Sequence, residues 1–334
     1  MTRRLGFFTR LLDAVPPAER YRLALEQIAF AEQAGFDTAW VAQHHFRESE
    51  GGLPAPLVFL SHAAARTSTI RLGTGIITLP LEHPLRVAED AAVLDLLSGG
   101  RFEVGVGSGG TPSSFEPFGR VSAERAAVYA EHLAVLVNAW SGGDLGGGNT
   151  LYPAAPRLLD AIWEATFSVS GGERAGRSGN GLMLSRTQPR PADAPGLTLA
   201  EIQKPIVDAY YEHLPAGVVP RIVASRTAFV ADTRAEAYRY AEIGLARAVK
   251  NFELAGFPVP DSPDLGQLIK AFDVHVGNPD DVIESLSADP TLDRVTDLVF
   301  QVHSVDPPHP LILRSIELLA TEVAPALSVE VSRL

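Results

Sequence analysis

Gly35-Phe36-Asp37-Thr38-Ala39-Trp40-Val41-Ala42-Gln43-His44-His45-Phe46 decides how the rest of the chain reads. Before it, Ala18 to Gly35 is alanine-rich and amphipathic and stops at a glycine, as a helix does. Within it, Thr38 to Gln43 is a short apolar run of strand length that ends in two adjacent histidines. Imidazoles at the end of a buried strand are costly unless they are hydrogen-bonded or used. The outlet of a parallel strand is also where α/β enzymes place their chemistry.

Working outward, strands and helices alternate. Strands are expected over Leu5–Arg10, Thr38–Gln43, Ile70–Leu79, Phe102–Gly107, Ile162–Ser168, Leu182–Ser185, Ile222–Ala231 and Asp297–His303. Helices are expected over Ala18–Gly35, Ala55–Thr67, Pro84–Leu97, Ser122–Trp140, a short one near Gly171, Leu197–Leu214, Thr233–Leu254 and His309–Ala324. Strand-then-helix alternation gives right-handed parallel units, and eight of them predict a closed (β/α)8 TIM barrel. An open doubly wound sheet is the alternative, but no glycine fingerprint follows the first strand. The chain reads as a single domain over residues 1–334 with two excursions. Ser141–Pro156 is glycine-rich. Gly256–Val276 holds Pro258, Pro260 and Pro263 and reads as a lid or extra subelement, before Asn278-Pro279 opens a helix.

Composition narrows the function. At 334 residues and 46% hydrophobic content one large core is available. A formal net charge of −12 with no basic stripe argues against nucleic acid and against anionic membranes. With no cysteine, disulfides, thiolate metal sites and a cysteine nucleophile are excluded. Arg3 and Arg4 precede no long apolar segment and no run reaches membrane-span length, so a cytoplasmic location is expected.

Several outlets carry candidate chemistry. His44 and His45 are either functional or satisfied loop histidines. No acid or histidine lies near them at ligand spacing, and His62 and His83 lie elsewhere, so no metal site is expected. Thr74 and the glycines of Leu72-Gly73-Thr74-Gly75-Ile76 signal close backbone approach, either by a flat aromatic ligand or at a bulge. Gly105-Val106-Gly107-Ser108-Gly109-Gly110 is an anion-accepting turn or a loop with positive φ angles. Ser168-Val169-Ser170-Gly171-Gly172 opens a helix with small hydroxyl residues and glycines. That suits a phosphate and also suits ordinary N-capping by Ser170, and the two are compatible. Arg174 and Arg177 lie nearby as added charge or as solvated side chains. Arg186, at the sixth outlet, is an anion ligand or an ion-pair partner.

These blocks, in this order, resemble the bacterial luciferase-like family of flavin-dependent monooxygenases. The resemblance runs through Gly35–Trp40 with His44-His45-Phe46, Leu72-Gly73-Thr74, Leu79-Pro80, His83–Asp90, Leu94-Asp95, Ser98 and Gly100-Arg101-Phe102. It is strongest in the first third of the chain and looser through Ser168–Gly172 and Gly277–Asp280. It implies a TIM barrel that binds reduced FMN at its C-terminal mouth, reacts it with O2 and oxygenates a small organic substrate. His44 matches the catalytic base, and Gly75-Ile76 matches a non-prolyl cis peptide behind the flavin ring. Thr74, Gly107 and Ser108 fall beside that position. Ser168, Ser170, Gly171 and Gly172 match the phosphate site, and His45, Phe46 and Phe115 fall on the substrate side. The helices near 55–67 and 84–97 match a homodimer interface, and a separate flavin reductase is the implied transient partner.

Departures from the light-emitting members imply that this chain does not emit light. Gln43 replaces a glutamate, Gly107 and Ser108 replace a reactive cysteine and a phosphate-binding arginine, and Phe167 replaces a carboxylate. Arg186 or Arg174 is expected to supply the missing charge, and His44, with a pKa near neutrality, to accept or donate a proton. Two other readings remain open at this point: a deazaflavin-dependent dehydrogenase or reductase on the same barrel, and a non-catalytic flavin-binding protein.

Overall fold

The computed structural model describes residues 3–254, 259, 261–302 and 307–331. Its strands are β1 (Arg3–Thr9), β2 (Thr38–Val41), β3 (Arg71–Thr74), β4 (Ile77–Thr78), β5 (Phe102–Gly107), β6 (Ile162–Ala165), β7 (Gly181–Leu184), β8 (Ile222–Val230), β9 (Val274–Gly277), β10 (Asp297–Gln301) and β11 (Val329–Glu330). The order β10-β1-β2-β3-β5-β6-β7-β8 closes on itself through β10–β8, with every pairing parallel. The expected (β/α)8 barrel is therefore present.

The strands are buried on both faces, which is why β2 and β5 read as apolar runs and do not alternate. Outward faces pack against the helices. Inward faces make a second cluster of Trp40, Trp163, Met183, Val223 and Val299, with Phe8, Ile76 and Ala165 against it. Trp40 and Trp163 meet edge to face at 5.7 Å. Each indole lies over a glycine in register on the next strand, Trp40 over Gly73 and Trp163 over Gly181. A Cβ on either glycine would come within 2.2 Å of the ring. Gly73 is thus a packing glycine whose absent side chain makes room for an indole.

The helices that frame the mouth are α1 (Pro17–Gln33), α2 (Pro56–Ala64), α3 (Pro84–Leu97), α4 (Arg125–Trp140), α5 (Val169–Ser178) and α6 (Leu199–His213). They are followed by α7 (Arg234–Leu254), α8 (Leu265–Ala271), α9 (Pro279–Ser287), α10 (His309–Leu318) and the short α11 (Ala324–Ala326). Capping boxes at Thr198 and Asn278 start α6 and α9.

The structure departs from the sequence reading in four places. The strand expected over Ile70–Leu79 breaks at the cis Gly75–Ile76 peptide into β3 and β4. The strand from Ile162 stops at Ala165, which frees Ser168 to cap α5. The stretch 256–276 is not all irregular: it contains α8 and β9, and β9 pairs with Thr227–Val230 of β8 outside the barrel seam. Prolines nearby obscured a four-residue strand and a seven-residue helix. The last strand ends at Gln301, and His303 lies outside the described residues. No described helix is long and apolar enough to cross a membrane.

Candidate active site

A cleft of about 600 Å³, including its open entrance, lies at the outlets of β2, β3 and β5. His44, His45, Gly75, Ile76 and Phe115 share its walls. Gln43 holds this rim together. Its amide donates to Glu82 Oε1 at 2.6 Å and to the Pro54 carbonyl at 3.1 Å, and its Oε1 accepts from the Thr78 N–H at 2.7 Å. The position thus serves as a three-way brace between loops.

β2 ends at Val41, and the two histidines then part company. His44 turns toward the end of β1, where Arg10 Nη2 lies 3.5 Å from its Nε2, the outer limit of a hydrogen bond. Its Nδ1 is buried without a partner and faces Gly51, where a Cβ would stand 2.6 Å away. Only Nε2 is therefore placed to meet a ligand. Burial first, then the charges of Arg10 and Arg186 and the neighbouring His45, hold the His44 pKa well below its ordinary value. The near-neutral pKa expected from sequence is corrected: His44 is a neutral imidazole, an acceptor at rest. His45 is buried, packs edge to face on Phe118 at 4.9 Å, and is lowered by burial against the opposing pull of Glu82. Phe46 (φ 65°) is 68% exposed and leans on His45 and Phe118 at the outer rim, away from the cleft walls.

The Gly75–Ile76 peptide is cis, as the resemblance implied. Gly75 also gives room to Phe8, whose ring would lie 2.7 Å from a Cβ there. Thr74 is placed differently from expectation. It is fully buried, and its hydroxyl donates to the Gly105 carbonyl at 2.8 Å and accepts from the Gly105 N–H at 2.9 Å. It closes β3 onto β5 and offers a ligand no free side-chain atom. Gly107 is buried against Ile76, with 2.8 Å from a notional Cβ to Cδ1, and Ser108 is half-buried just beyond it.

The hydroxyl turn forms at the next outlet. Ser168 caps α5 by accepting from the Gly171 N–H at 3.2 Å, and its hydroxyl lies 3.2 Å from those of both Thr166 and Ser170. Ser168 and Ser170 are exposed at the positive end of the helix dipole. A Cβ on Gly171 would fall 1.9 Å from Thr166 Oγ1, so the turn requires glycine. Gly172 does something else: a Cβ there would lie 2.4 Å from the Ile206 carbonyl, and Gly176 repeats this against Tyr210. Those two glycines let α5 lie close on α6.

The arginines separate. Arg174 is engaged below the turn by buried Glu164, at 2.6 Å, and stacks over Tyr129 at 4.8 Å. Glu164 also accepts from Tyr129 and Asn180 at 3.0 Å each. Arg174 is thereby corrected from a free phosphate ligand to an ion-pair partner. Arg186 donates to Thr227 Oγ1 at 3.2 Å, and no hydrogen bond or ion pair among the described residues joins it to the Ser168–Gly172 turn. Burial and the charge of Arg10 bring its pKa down to about 9, against the pull of Asp273. Arg10, the last residue of the first expected strand, was missed by the sequence reading. Its signal was the one that marked His44, a titratable side chain at a strand outlet.

A sequence profile described as luciferase-like monooxygenase matches residues 5–288. The chain belongs to this family. Among curated relatives, 4-hydroxyprotoasukamycin monooxygenase of Streptomyces nodosus subsp. asukaensis is 42% identical over 112 residues, 34% of this chain and 30% of that protein. The F420-dependent glucose-6-phosphate dehydrogenase of Beutenbergia cavernae is 33% identical over 187 residues, 49% of this chain and 55% of that protein. The matched segments thus span less than two thirds of either relative. The crystal structure of the monooxygenase RslO1 from Streptomyces bottropensis superposes with a TM-score of 0.78 at 26% identity, covering 96% of this chain and 99% of that one. As a luciferase-like family member the chain carries the family's monooxygenase scaffold, and F420-dependent proteins share that scaffold.

Proposed function

We propose that this chain is an FMN-dependent monooxygenase that does not emit light. The observation that carries the reading is a juxtaposition at one end of the barrel. His44, the Gly75–Ile76 edge and Phe115 share a cleft, and at the next outlet a helix N-terminus presents the Ser168 and Ser170 hydroxyls. A planar ring and a phosphate joined by a short chain need both features. Reduced flavin, when bound, supplies two electrons to O2, so that one oxygen atom enters the substrate and the other leaves as water.

The protein's own contributions follow from the site. The α5 N-terminus and its hydroxyls hold the phosphate without an arginine. Phe115 and Leu81 line the cleft and exclude water. Neutral His44 accepts a proton or a hydrogen bond at Nε2. Reduced flavin delivered by a separate reductase, and a homodimer through α2 and α3, complete the proposal. The second reading, an F420-dependent dehydrogenase, is favoured by the similarity to the Beutenbergia protein.

Titration with FMN and with F420, followed by flavin fluorescence, separates the two. Tight FMN binding, with O2 consumed when the flavin is chemically reduced, supports the proposal. Preferential F420 binding without O2 uptake refutes it.

A further inference from the structure

The geometry points to a second anion site at the barrel mouth, formed by Arg10 and Arg186 beside His44, which receives an oxyanion, of carboxylate type, on the substrate. This deepens the proposed monooxygenase function and rests on it for the word substrate. It does not rest on it for the site.

The two guanidiniums come from different strand outlets. Arg10 follows β1 and reaches His44 Nε2, and Arg186 follows β7 and is anchored on Thr227 of β8. Neither has a carboxylate within ion-pair distance among the described residues. Each has an acid nearby whose oxygens are already engaged. Glu50 Oε2 accepts from Thr111 at 2.9 Å and Oε1 from Arg47 at 3.3 Å, while Arg10 takes only the Glu50 main-chain carbonyl. Asp273 Oδ1 accepts from Arg190 at 2.6 Å and Oδ2 from Thr187 at 2.7 Å, leaving Arg186 without it.

Arg226, fully buried, is by contrast neutralised directly by Asp289 at 2.7 Å. Two half-buried cations whose charges reach one another without direct counter-ions are unfavourable unless a ligand provides the charge. Burial first brings both low for arginine, to about 10 and about 9, and the charge of Arg10 adds to the lowering of Arg186. A planar carboxylate suits a pair of guanidinium forks. The flavin phosphate is the competing source of the same chemistry.

The test is calorimetric titration of the FMN-loaded protein with benzoate against benzamide and octanoate against octanamide. It is run on the wild type, Arg10→Gln, Arg186→Gln and the charge-keeping Arg186→Lys. Melting temperatures confirm that each variant is folded. We expect at least one carboxylate to bind roughly 10- to 100-fold tighter than its amide, as charge-assisted hydrogen bonds imply. The preference should fall below about threefold in either glutamine variant and persist in Arg186→Lys, as expected of a ligand that supplies the missing charge. Equal binding of acids and amides overturns the inference. So does an Arg186→Gln variant that loses FMN but not riboflavin, because Arg186 would then hold the flavin phosphate. If FMN does not bind and the flavin-free protein, titrated in the same way, still prefers carboxylates, the oxygenase reading fails and the anion site stands.

Discussion

Gly171→Ala tests the phosphate turn without any knowledge of the substrate. A Cβ at residue 171 would lie 1.9 Å from Thr166 Oγ1 and 2.5 Å from Thr166 Cβ, where ordinary contact begins near 3.4 Å. Either Thr166 or the first turn of α5 must move by about 1.5 Å to relieve the overlap. Hydrogen bonds tolerate only a few tenths of an ångström around ~2.9 Å, so a shift of this size breaks those that converge on one phosphate. Two charge-assisted bonds at roughly 1.5–3 kcal/mol each amount to about 3–6 kcal/mol. FMN should therefore bind at least ~100-fold more weakly, at about 1.4 kcal/mol per factor of ten. Riboflavin, which lacks the phosphate, should lose less than about threefold by the same arithmetic. Quenching of flavin fluorescence measures both. Gly172→Ala is the internal control: its overlap with the Ile206 carbonyl disturbs α5–α6 packing and should lower the melting temperature. If Gly171→Ala weakens FMN and riboflavin equally, or leaves FMN unchanged, the turn is not the phosphate site.

Three further outcomes follow. His44 is held below its ordinary value and His275 at about 4, both mainly by burial, so both are neutral in the fold and take up protons on unfolding below about pH 6.5. Stability should be full above that pH and decline toward pH 4, and His275→Gln should flatten the decline; an unaltered slope refutes the assignment. Glu164→Gln leaves Arg174 without its acid. Discounted for the partial exposure of Arg174, the loss should be about 2–3 kcal/mol, or roughly 3–4 °C in melting temperature for a chain of this length, and a change under about 1 °C would count against it. Val58, Leu96 and Leu97, on α2 and α3, are 74%, 64% and 65% exposed. Sedimentation should show a dimer that Leu96→Glu with Leu97→Glu dissociates, and a monomeric wild type removes the interface.

The barrel was legible because its strands are apolar on both faces and its helices are amphipathic, so the two periodicities alternate without ambiguity. Pro84–Leu97 and Phe102–Gly107 matched to the residue. Short elements were not legible. Val274–Gly277 has only four residues, follows a proline-rich stretch, and owes its pairing to β8, which no local pattern reveals. Glycines were legible as close approaches but not as to what approaches. Gly73 gives room to Trp40, Gly75 to Phe8, and Gly172 to the α6 backbone, three different neighbours behind one signal. Capping has a local grammar that marked the hydroxyl turn, but it pointed to Ser170 as the cap, and the early end of β6 gives that role to Ser168.

Charge placement was the hardest to read, and it alters the chemistry most. A histidine at a strand outlet invites a titration near neutrality, yet His44 is surrounded by burial, Arg10 and Arg186, all of which disfavour its protonated form. The same two cations that keep Nε2 unprotonated raise the affinity of the mouth for an anion. Binding an anionic substrate would then offset the positive field and raise the His44 pKa, so the imidazole becomes a better base only once the site is filled. Proton acceptance is thereby coupled to occupancy. An empty mouth keeps His44 neutral and weakly basic, and a filled one brings it toward the range where proton transfer at neutral pH is efficient. The sequence places the three residues at separate outlets; the pairing of β1 with β2 joins Arg10 to His44, and the closure of β10 onto β8 brings the outlet of Arg186 round to them.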